Sequence, residues 1–497
     1  MKQKWSAILF LVTFAALFTH FMTANGWLTD DAFISFRYAD NLATGNGFVY
    51  NIGEHVEGYS NFLWVLLIAL GIKLGFRPEV FTLMLSIASA AGVVLVICFY
   101  IPKDGGTNAS TSSHLYTAMI LSGIGSFWLW TFGGGLETIL YSLLNTTTIV
   151  YVACSPYLHE DRRKLLMTAA LCFLVALTRP EGVLTFFVIV VALRTMKYRK
   201  VKLRDMMWFI VPFGFLFGAY LAWKIWYFKD ILPNTFYAKV DSSGLQVFRG
   251  VKYCLKFFAT YPLITVFAIA SMRHVKERED LLHMAAGFVL VYVIFVSAVG
   301  GDFMYAFRLL APMAPLLAIL ACRGILVSCE KSLVPWILCL TIFFSALQSR
   351  FHPDFKWAIG EDKTVERGEI MGKWLSGTCP QGATIAVTAA GALPYFSKLR
   401  TIDMFGLTNR KIAHEGSTNR DPQTVGHLKS DPAAVLREKP DIIIFGEGFG
   451  RAVPHSKPEI DVFESQKFRD QYKIAVYIIG QDTARIYIRN GLHLRAM

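Results

Sequence analysis

Two adjacent aspartates, Asp30 and Asp31, stand near the start of a polar stretch, Trp27 to Trp64, that separates two strongly apolar segments. The same stretch holds Asp40, Glu54 and Glu57 and the amides Asn41, Asn46, Asn51 and Asn61. Carboxylates this dense at the mouth of an apolar bundle suit a general base, which takes the proton of an acceptor hydroxyl lying within hydrogen-bond reach. A lipid-phosphate leaving group departs as an anion, so it needs one or two Arg or Lys side chains rather than a strong acid. Thr29 ahead of the pair is a helix-start signal, and Asp30, Ile34, Arg37 and Asn41 then share one helix face. That face favours Asp30 as the base because it also carries Arg37. A purely structural reading uses the same residues: Thr29 caps a short helix and the two acids complement its dipole.

The surrounding chain must place these groups. It has 497 residues, 54% of them hydrophobic, including 40 Phe, and a mean hydropathy of +0.44. Apolar runs of roughly 11 to 22 residues recur from Trp5 to Leu347 and then stop, which reads as a polytopic helical membrane protein. The alternating short segments of a β-barrel are absent. The net charge of +13 does not point to nucleic acid, because the cations collect in short loops between apolar runs. Residues 194–204 carry Arg194, Lys197, Arg199, Lys200, Lys202 and Arg204 and no acid, and Arg162, Arg163 and Lys164 flank another run. These are positive-inside signals. The eight cysteines form no disulfide framework and no zinc spacing. Most lie in or beside spans, with Cys254 in a loop and Cys379 in the tail.

With a cytoplasmic N-terminus, a first uncleaved helix over about 5–22 delivers the Asp30–Asp31 loop to the outer side. Phe62 to Leu74 is apolar but only 13 residues long, whereas about 20 are needed to cross. It is therefore expected as a juxtamembrane helix; a crossing there would turn every later basic loop outward. Further spans are expected at 80–101, 115–132, 138–153, 165–177, 183–193, 206–227, 261–272, 282–299, 309–327 and 333–348, about 11 in all. The basic loops 162–164, 194–204 and 273–278 then share the cytoplasmic side. The polar clusters 133–137, 178–182, 234–239 and 300–302 share the opposite side with Asp30 and Asp31. The expected organisation is a membrane domain, 1–348, with an outer loop over 25–79, followed by an extracytoplasmic α/β domain, 349–497. In the latter, 383–388, 441–445, 473–479 and 485–489 read as strands and 364–375 and 431–439 as helices.

Transfer of a sugar from a lipid-linked phosphate donor fits this placement, and a resemblance narrows it. Thr29-Asp-Asp-Ala-Phe-Ile-Ser-Phe-Arg-Tyr-Ala39, Gly45-Asn-Gly-Phe-Val-Tyr-Asn51 and Gly53-Glu-His-Val-Glu-Gly-Tyr-Ser-Asn-Phe-Leu-Trp64 resemble the first outer loop of the GT-C glycosyltransferases. Within that superfamily they resemble the mycobacterial terminal arabinofuranosyltransferases and their uncharacterised bacterial relatives. Gly134-Gly-Leu-Glu137, Arg179-Pro-Glu-Gly182, Asn234-Thr-Phe-Tyr-Ala-Lys239, Gly301-Asp302 and Asp403-Met-Phe-Gly-Leu-Thr-Asn409 extend the resemblance over nearly the whole chain. The resemblance implies a GT-C fold, a base in the Asp30–Asp31 pair and a polyprenyl-phosphate sugar as donor. It also makes arabinofuranose or another pentose the donor sugar, and a cell-envelope glycan, lipid or protein the acceptor. The last motif ends in an amide, Asn409, so a carboxylate role is not expected there.

Arg37, Glu57, Glu137, Arg179, Glu181, Tyr237, Lys239, Asp302 and Arg308 form the expected substrate-binding set. Asp302 would position the acceptor, and Arg308 or Lys239 would hold phosphate; Lys239 also fits a snorkelling role at the interface. Glu57, with Glu54, is expected to orient the loop rather than react. Glu137 sits where a helix cap is as natural as catalysis. Arg179-Pro180-Glu181 reads either as a turn or as an ion pair at membrane depth, where charges are often functional. Paired aspartates suit Mg, Mn or Ca, although no spacing demands a metal. The chain is expected in a bacterial inner membrane. Two other classes use the same composition: a lipid or sugar transporter or flippase, and a non-catalytic scaffold or regulator. A transporter predicts mid-bilayer charges and repeat symmetry, whereas here the charges cluster at one face and no repeat is present.

Overall fold

The computed structural model describes residues 2–24, 26–100, 110–155, 158, 161–195, 201–239, 244–273, 280–353, 355–356, 362–418 and 429–495. Helices fill the first two-thirds of the chain, in the order α1 (Lys2–Ala24), α2 (Asp30–Ala43), α3 (Phe62–Lys73), α4 (Pro78–Tyr100), α5 (Ser110–Ser122), α6 (Gly125–Phe132), α7 (Thr138–Cys154) and α8 (Arg162–Thr178). There follow α9 (Val183–Thr195), α10 (Leu203–Phe228), α11 (Asn234–Lys239), α12 (Gly244–Thr260), α13 (Pro262–Met272), α14 (Asp280–Ala298), α15 (Ala314–Ser328) and α16 (Val334–Phe351). Each expected span falls, among the described residues, mainly on helix, with breaks such as those at 123–124 and 309–310. Among the described residues, six helices are long and apolar enough to cross a membrane alone, and eight spans result if each of two bent pairs counts as one. The basic residues 196–200 and 274–278 lie outside the described residues, so the cytoplasmic loops placed there from sequence are not described.

The breaks have local causes. α12 and α13 meet at 96°, where Pro262 opens α13; its missing N–H and fixed φ favour a new helix start over continuation. The loop expected around Cys254 is instead α12. Its Arg249, Lys252 and Lys256 interrupt the apolar pattern enough to hide a helix that buries one face, with Gln246, Gly250, Cys254 and Phe257 inside. α5 and α6 bend by 70° around Gly123 and Ile124.

The chain divides into two units that are discontinuous in sequence. One comprises Met1–Trp27, Thr82–Leu221 and Gly244–Ile359; the other comprises Leu28–Phe81, Ala222–Ser243 and Gly360–Met497. In the first, α15 is buried from Ala314 to Cys322, and Gly324 brings α13 so near that an added Cβ would lie 1.8 Å from the Phe267 carbonyl oxygen. Side chains of small residues are what permit such close helix crossings.

In the second unit, α2 packs on α3. At 1.5 Å per residue, the 12 residues of α3 reach about 18 Å, well short of a hydrocarbon core of about 30 Å. The loop expected with the membrane part thus forms one unit with the C-terminal region. That region contains a five-stranded sheet, β2-β1-β5-β7-β6, built from β1 (Thr384–Val387), β2 (Arg400–Asp403), β5 (Ile442–Ile444), β6 (Tyr472–Ile479) and β7 (Asp482–Arg489). β3 (Ser417–Thr418) and β4 (Lys429–Ser430) form a separate pair. β1 is parallel to β2 and β5, whereas β7 is antiparallel to β5 and β6. Alternation along β1 sends Ile385 and Val387 into one core with Met371 and Leu375 of helix Thr364–Thr378. Ala386 faces a second core with Ile402, Phe445 and Tyr487. Phe445 and Phe449 are buried, while Tyr395 and Phe396 pack against Phe33 of α2. These aromatics are therefore structural.

Candidate active site

Thr29, in extended conformation and making no side-chain cap hydrogen bond to the helix, precedes α2, whose first turn carries both aspartates. The two side chains go different ways. Asp30 Oδ2 accepts from the Gly391 N–H at 2.9 Å and Oδ1 from the Ala392 N–H at 2.7 Å. Asp31 instead stands 3.7 Å from Lys239 Nζ, both side chains being about one-fifth accessible. Packing around Asp30 pushes its carboxyl up from 3.8 to about 7, against the pull of the two amides and with Asp31 and Glu447 adding to the rise.

Lys239 is the last residue of α11, which is anchored at its other end. The Asn234 N–H donates to the Glu57 carbonyl at 2.9 Å, and Asn234 Nδ2 donates to the Gly406 and Leu407 carbonyls at 2.7 and 3.0 Å. Glu57 is buried and pairs with Lys224 Nζ at 2.8 Å. Tyr237 is braced by the ring of His414, 4.1 Å away, and His414 lies beside Asp230, which Arg410 also pairs at 2.8 Å. The 403–409 motif is a tight loop: Asp403 accepts from the Phe405 and Thr408 N–H groups, each at 2.9 Å. Asn409 caps helix Arg410–Glu415 through a bond from the Ile412 N–H, a role that an amide fills as well as an acid.

The face shared by Asp30, Arg37 and Asn41 exists, but it faces protein. Expected from sequence among the substrate-binding residues, Arg37 is buried and directs its donors elsewhere. Nε donates to the Tyr50 carbonyl, Nη1 to the Pro394 carbonyl and Thr401 Oγ1, and Nη2 to Asn51 Oδ1 and the Leu399 carbonyl. A guanidinium has five N–H donors, so none is left for a phosphate. Asn41 likewise donates to the Val49 and Tyr50 carbonyls.

The other expected site residues lie in the first unit and form two groups. Arg179 Nη1 donates to Glu137 Oε1 at 2.5 Å, and Nε donates to Glu181 Oε1. All three side chains are at least nine-tenths buried. Glu137 precedes α7 but makes no cap hydrogen bond, so its carboxylate serves the ion pair. The second group is Asp302 and Arg308, joined at 2.7 Å from Arg308 Nε to Asp302 Oδ2. Their loop also holds Ala306 and Phe307 at φ 50° and 54°. The left-handed region is costly for side chains with a Cβ, and such strain gathers at functional loops. Among the described residues, no group of three or more His, Cys, Asp or Glu side chains is placed to hold a metal.

The fold matches that of known structures. ArnT from Cupriavidus metallidurans matches with a TM-score of 0.64, over 98% of this chain and 98% of that chain, at 12% identity. The same protein bound to undecaprenyl phosphate matches at 0.61. The chain has the GT-C fold. The archaeal oligosaccharyltransferase AglB from Archaeoglobus fulgidus, solved with an inhibitory peptide and a dolichol-phosphate, matches at 0.52 over 97% of this chain and 74% of that chain, at 9% identity. In sequence, the chain is similar to the terminal beta-(1->2)-arabinofuranosyltransferase of Mycobacterium tuberculosis, 26% identical over 59% of this chain and 52% of that protein. It spans about half the length of the curated relatives it matches. Residues 357–487 match a domain family of unknown function, DUF8728. Apolar helices and fold together mark an integral membrane protein.

Two residues of this site carried little sign in the sequence. Lys224 lies in the apolar run of α10, and a lone cation there is the signal that it has a buried partner. Gly391 carried no signal beyond its small neighbours. Three buried carboxyls of the second unit also share a sign. Burial pushes Glu57 up to about 7, with Lys224 opposing, and pushes Asp403 up to about 6 against its backbone amides; Asp30 behaves alike. A raised carboxyl pKa means that the folded chain binds more protons than the unfolded chain between the ordinary and raised values. Stability from these groups is therefore full below about pH 4 and falls as pH rises through 6 to 7. The unfolding midpoint of the detergent-solubilised protein is expected to be higher at pH 5.5 than at pH 8; an equal or lower midpoint at pH 5.5 contradicts these assignments.

Proposed function

We propose that the chain is a glycosyltransferase that moves a sugar from a polyprenyl-phosphate donor to a cell-envelope acceptor at the outer face of a bacterial inner membrane. The observation that carries the reading is the Asp31–Lys239 pair: an accessible carboxylate and an accessible ammonium 3.7 Å apart in a GT-C fold. Asp31 accepts the acceptor hydroxyl proton while that oxygen bonds to the anomeric carbon. The bond from that carbon to the phosphate oxygen breaks, and polyprenyl phosphate leaves as an anion beside Lys239. A loose ion pair suits this exchange, since substrate can part it at little cost. Glu57 with Lys224 and Asn234 fix the loop and α11 so that base and cation keep their spacing, and Tyr237 lines the same helix.

For Asp302 and Arg308, acceptor positioning and phosphate holding remain part of the proposal. So do the outward placement of the C-terminal region and a total of about 11 spans, the shorter helices tilting or bending to cross. Arabinofuranose or another pentose is the donor sugar the relatives favour. Mg, Mn or Ca would find only Asp31 of the aspartate pair as a ligand and would serve phosphate as Lys239 does, because Asp30 is engaged by the Gly391 and Ala392 amides. The reading is tested by incubating the purified protein in lipid with polyprenyl-phosphate-linked labelled pentoses and envelope glycan acceptors. Label is expected to move to acceptor with release of polyprenyl phosphate. If the donor is only carried across the bilayer unchanged, the transporter class replaces this one.

A further inference from the structure

We propose that the C-terminal region matching DUF8728 is the positioning half of the aspartate site: the Gly391 and Ala392 amides hold Asp30 so that its neighbour Asp31 is aimed as the base. This rests on the glycosyltransferase reading. It gives the region a role in the reaction at the first outer loop.

Both oxygens of the Asp30 carboxylate are engaged by backbone amides 361 and 362 residues away in sequence. The approach is so close that an added Cβ on Gly391 would lie 1.9 Å from the Asp30 carbonyl oxygen. Only glycine permits it. Two turns along the same face, Arg37 holds the Pro394 and Leu399 carbonyls at 2.8 and 2.7 Å. Beyond α2, Asn51 exchanges bonds with Thr401, Nδ2 to the carbonyl at 2.8 Å and Oδ1 from the N–H at 3.0 Å. Held at both ends of one face, α2 cannot turn about its axis. The side chain one residue on, about 100° around the helix, is then fixed in direction without being touched. A helix 10–12 Å across carries side-chain tips about 2 Å for each 20° of rotation, and a misplacement of about 1 Å can cost about 100-fold in rate. Asp31 needs that precision, and the groups facing Asp30, namely Asp31 and Glu447 as charges and the two amides as donors, leave Asp30 itself the holder.

The full-length protein, its transfer reaction established with a polyprenyl-phosphate pentose, separates the roles. Asp30→Asn keeps shape but turns an NH2 toward an amide, and Gly391→Ala pushes on α2 while leaving both aspartates intact. Each is expected to lower kcat about 10- to 100-fold with KM for donor unchanged, and to speed amide hydrogen exchange over 390–397. Both should keep the acid limb of the pH–kcat profile, whereas Asp31→Asn should remove it. The proposal falls if Asp30→Asn removes that limb, which would make Asp30 the base. It also falls if exchange over 390–397 quickens while kcat stays within about twofold, or if exchange does not change at all. An inactive wild-type protein sinks the glycosyltransferase reading and this proposal with it; an active wild type with either of the other results sinks this proposal alone. Should Gly391→Ala fail to fold, the isosteric Asp30→Asn still decides.

Discussion

Asp31→Asn is expected to lower kcat about 100- to 10,000-fold, the range a positioned general base contributes, while the protein folds as before. Asp31 makes its ion pair with a side chain that is itself partly accessible, Lys239 at 3.7 Å, and exposed pairs of this kind contribute about 0–1 kcal/mol to stability. Losing the charge therefore removes a proton acceptor without removing a fold determinant. Donor binding, read as KM, should change little, because the acceptor hydroxyl and not the lipid phosphate meets the carboxylate. Measuring turnover and thermal midpoint on the same preparation checks both halves. Near wild-type turnover in Asp31→Asn would end the assignment of this residue as base.

The second large effect is on folding. Arg179→Leu leaves Glu137 and Glu181 buried with no cation between them, both having lain nine-tenths or more out of water. Removing one partner of a buried pair typically costs about 3–5 kcal/mol, most of it the penalty of the uncompensated charge. Here two carboxylates are stranded, so the loss is expected at the upper end. The control is the triple change Glu137→Gln, Arg179→Leu, Glu181→Gln, which removes every charge at once. It should recover most of the midpoint lost by Arg179→Leu, since a fully neutral centre carries no ionic desolvation. Equal midpoints for the single and triple variants would mean that the ion pairs are not what holds α7, α8 and α9 at this point.

Much of this was legible in the residues. The apolar runs marked where helices form, because a backbone in lipid must satisfy itself helically. Among the described residues, though, only six helices, or eight spans with the bent pairs, are long and apolar enough to cross. The shortness of the run at 62–74 pointed away from a crossing, and α3 is indeed a 12-residue helix. Arg179-Pro-Glu181 allowed either a turn or an ion pair, and the ion pair is found. The shared face of Asp30, Arg37 and Asn41 followed from helical periodicity alone. What periodicity cannot supply is the identity of the partner. The face turned out to meet backbone amides and carbonyls near residues 390–400, and backbone groups are the same in every sequence. β2 was missed for a related reason: Arg400-Thr-Ile-Asp403 has a charge at each end and only four residues, and it is a strand because β1 offers it a parallel ladder. α12 was hidden by its cations, and Lys224 by the apolar run around it.

The three-part composition of the second unit has a consequence for biosynthesis. Arg37 must meet the Pro394 carbonyl, a partner 357 residues later in the chain. At about 5–20 residues per second of synthesis, the first outer loop emerges about 20–70 s before the segment that grips it. Through that interval the aspartate pair is already made but has nothing to aim it. A nascent chain of this protein would thus be idle toward donors already present in the membrane, and activity would begin abruptly, as a late event of translation rather than a gradual one.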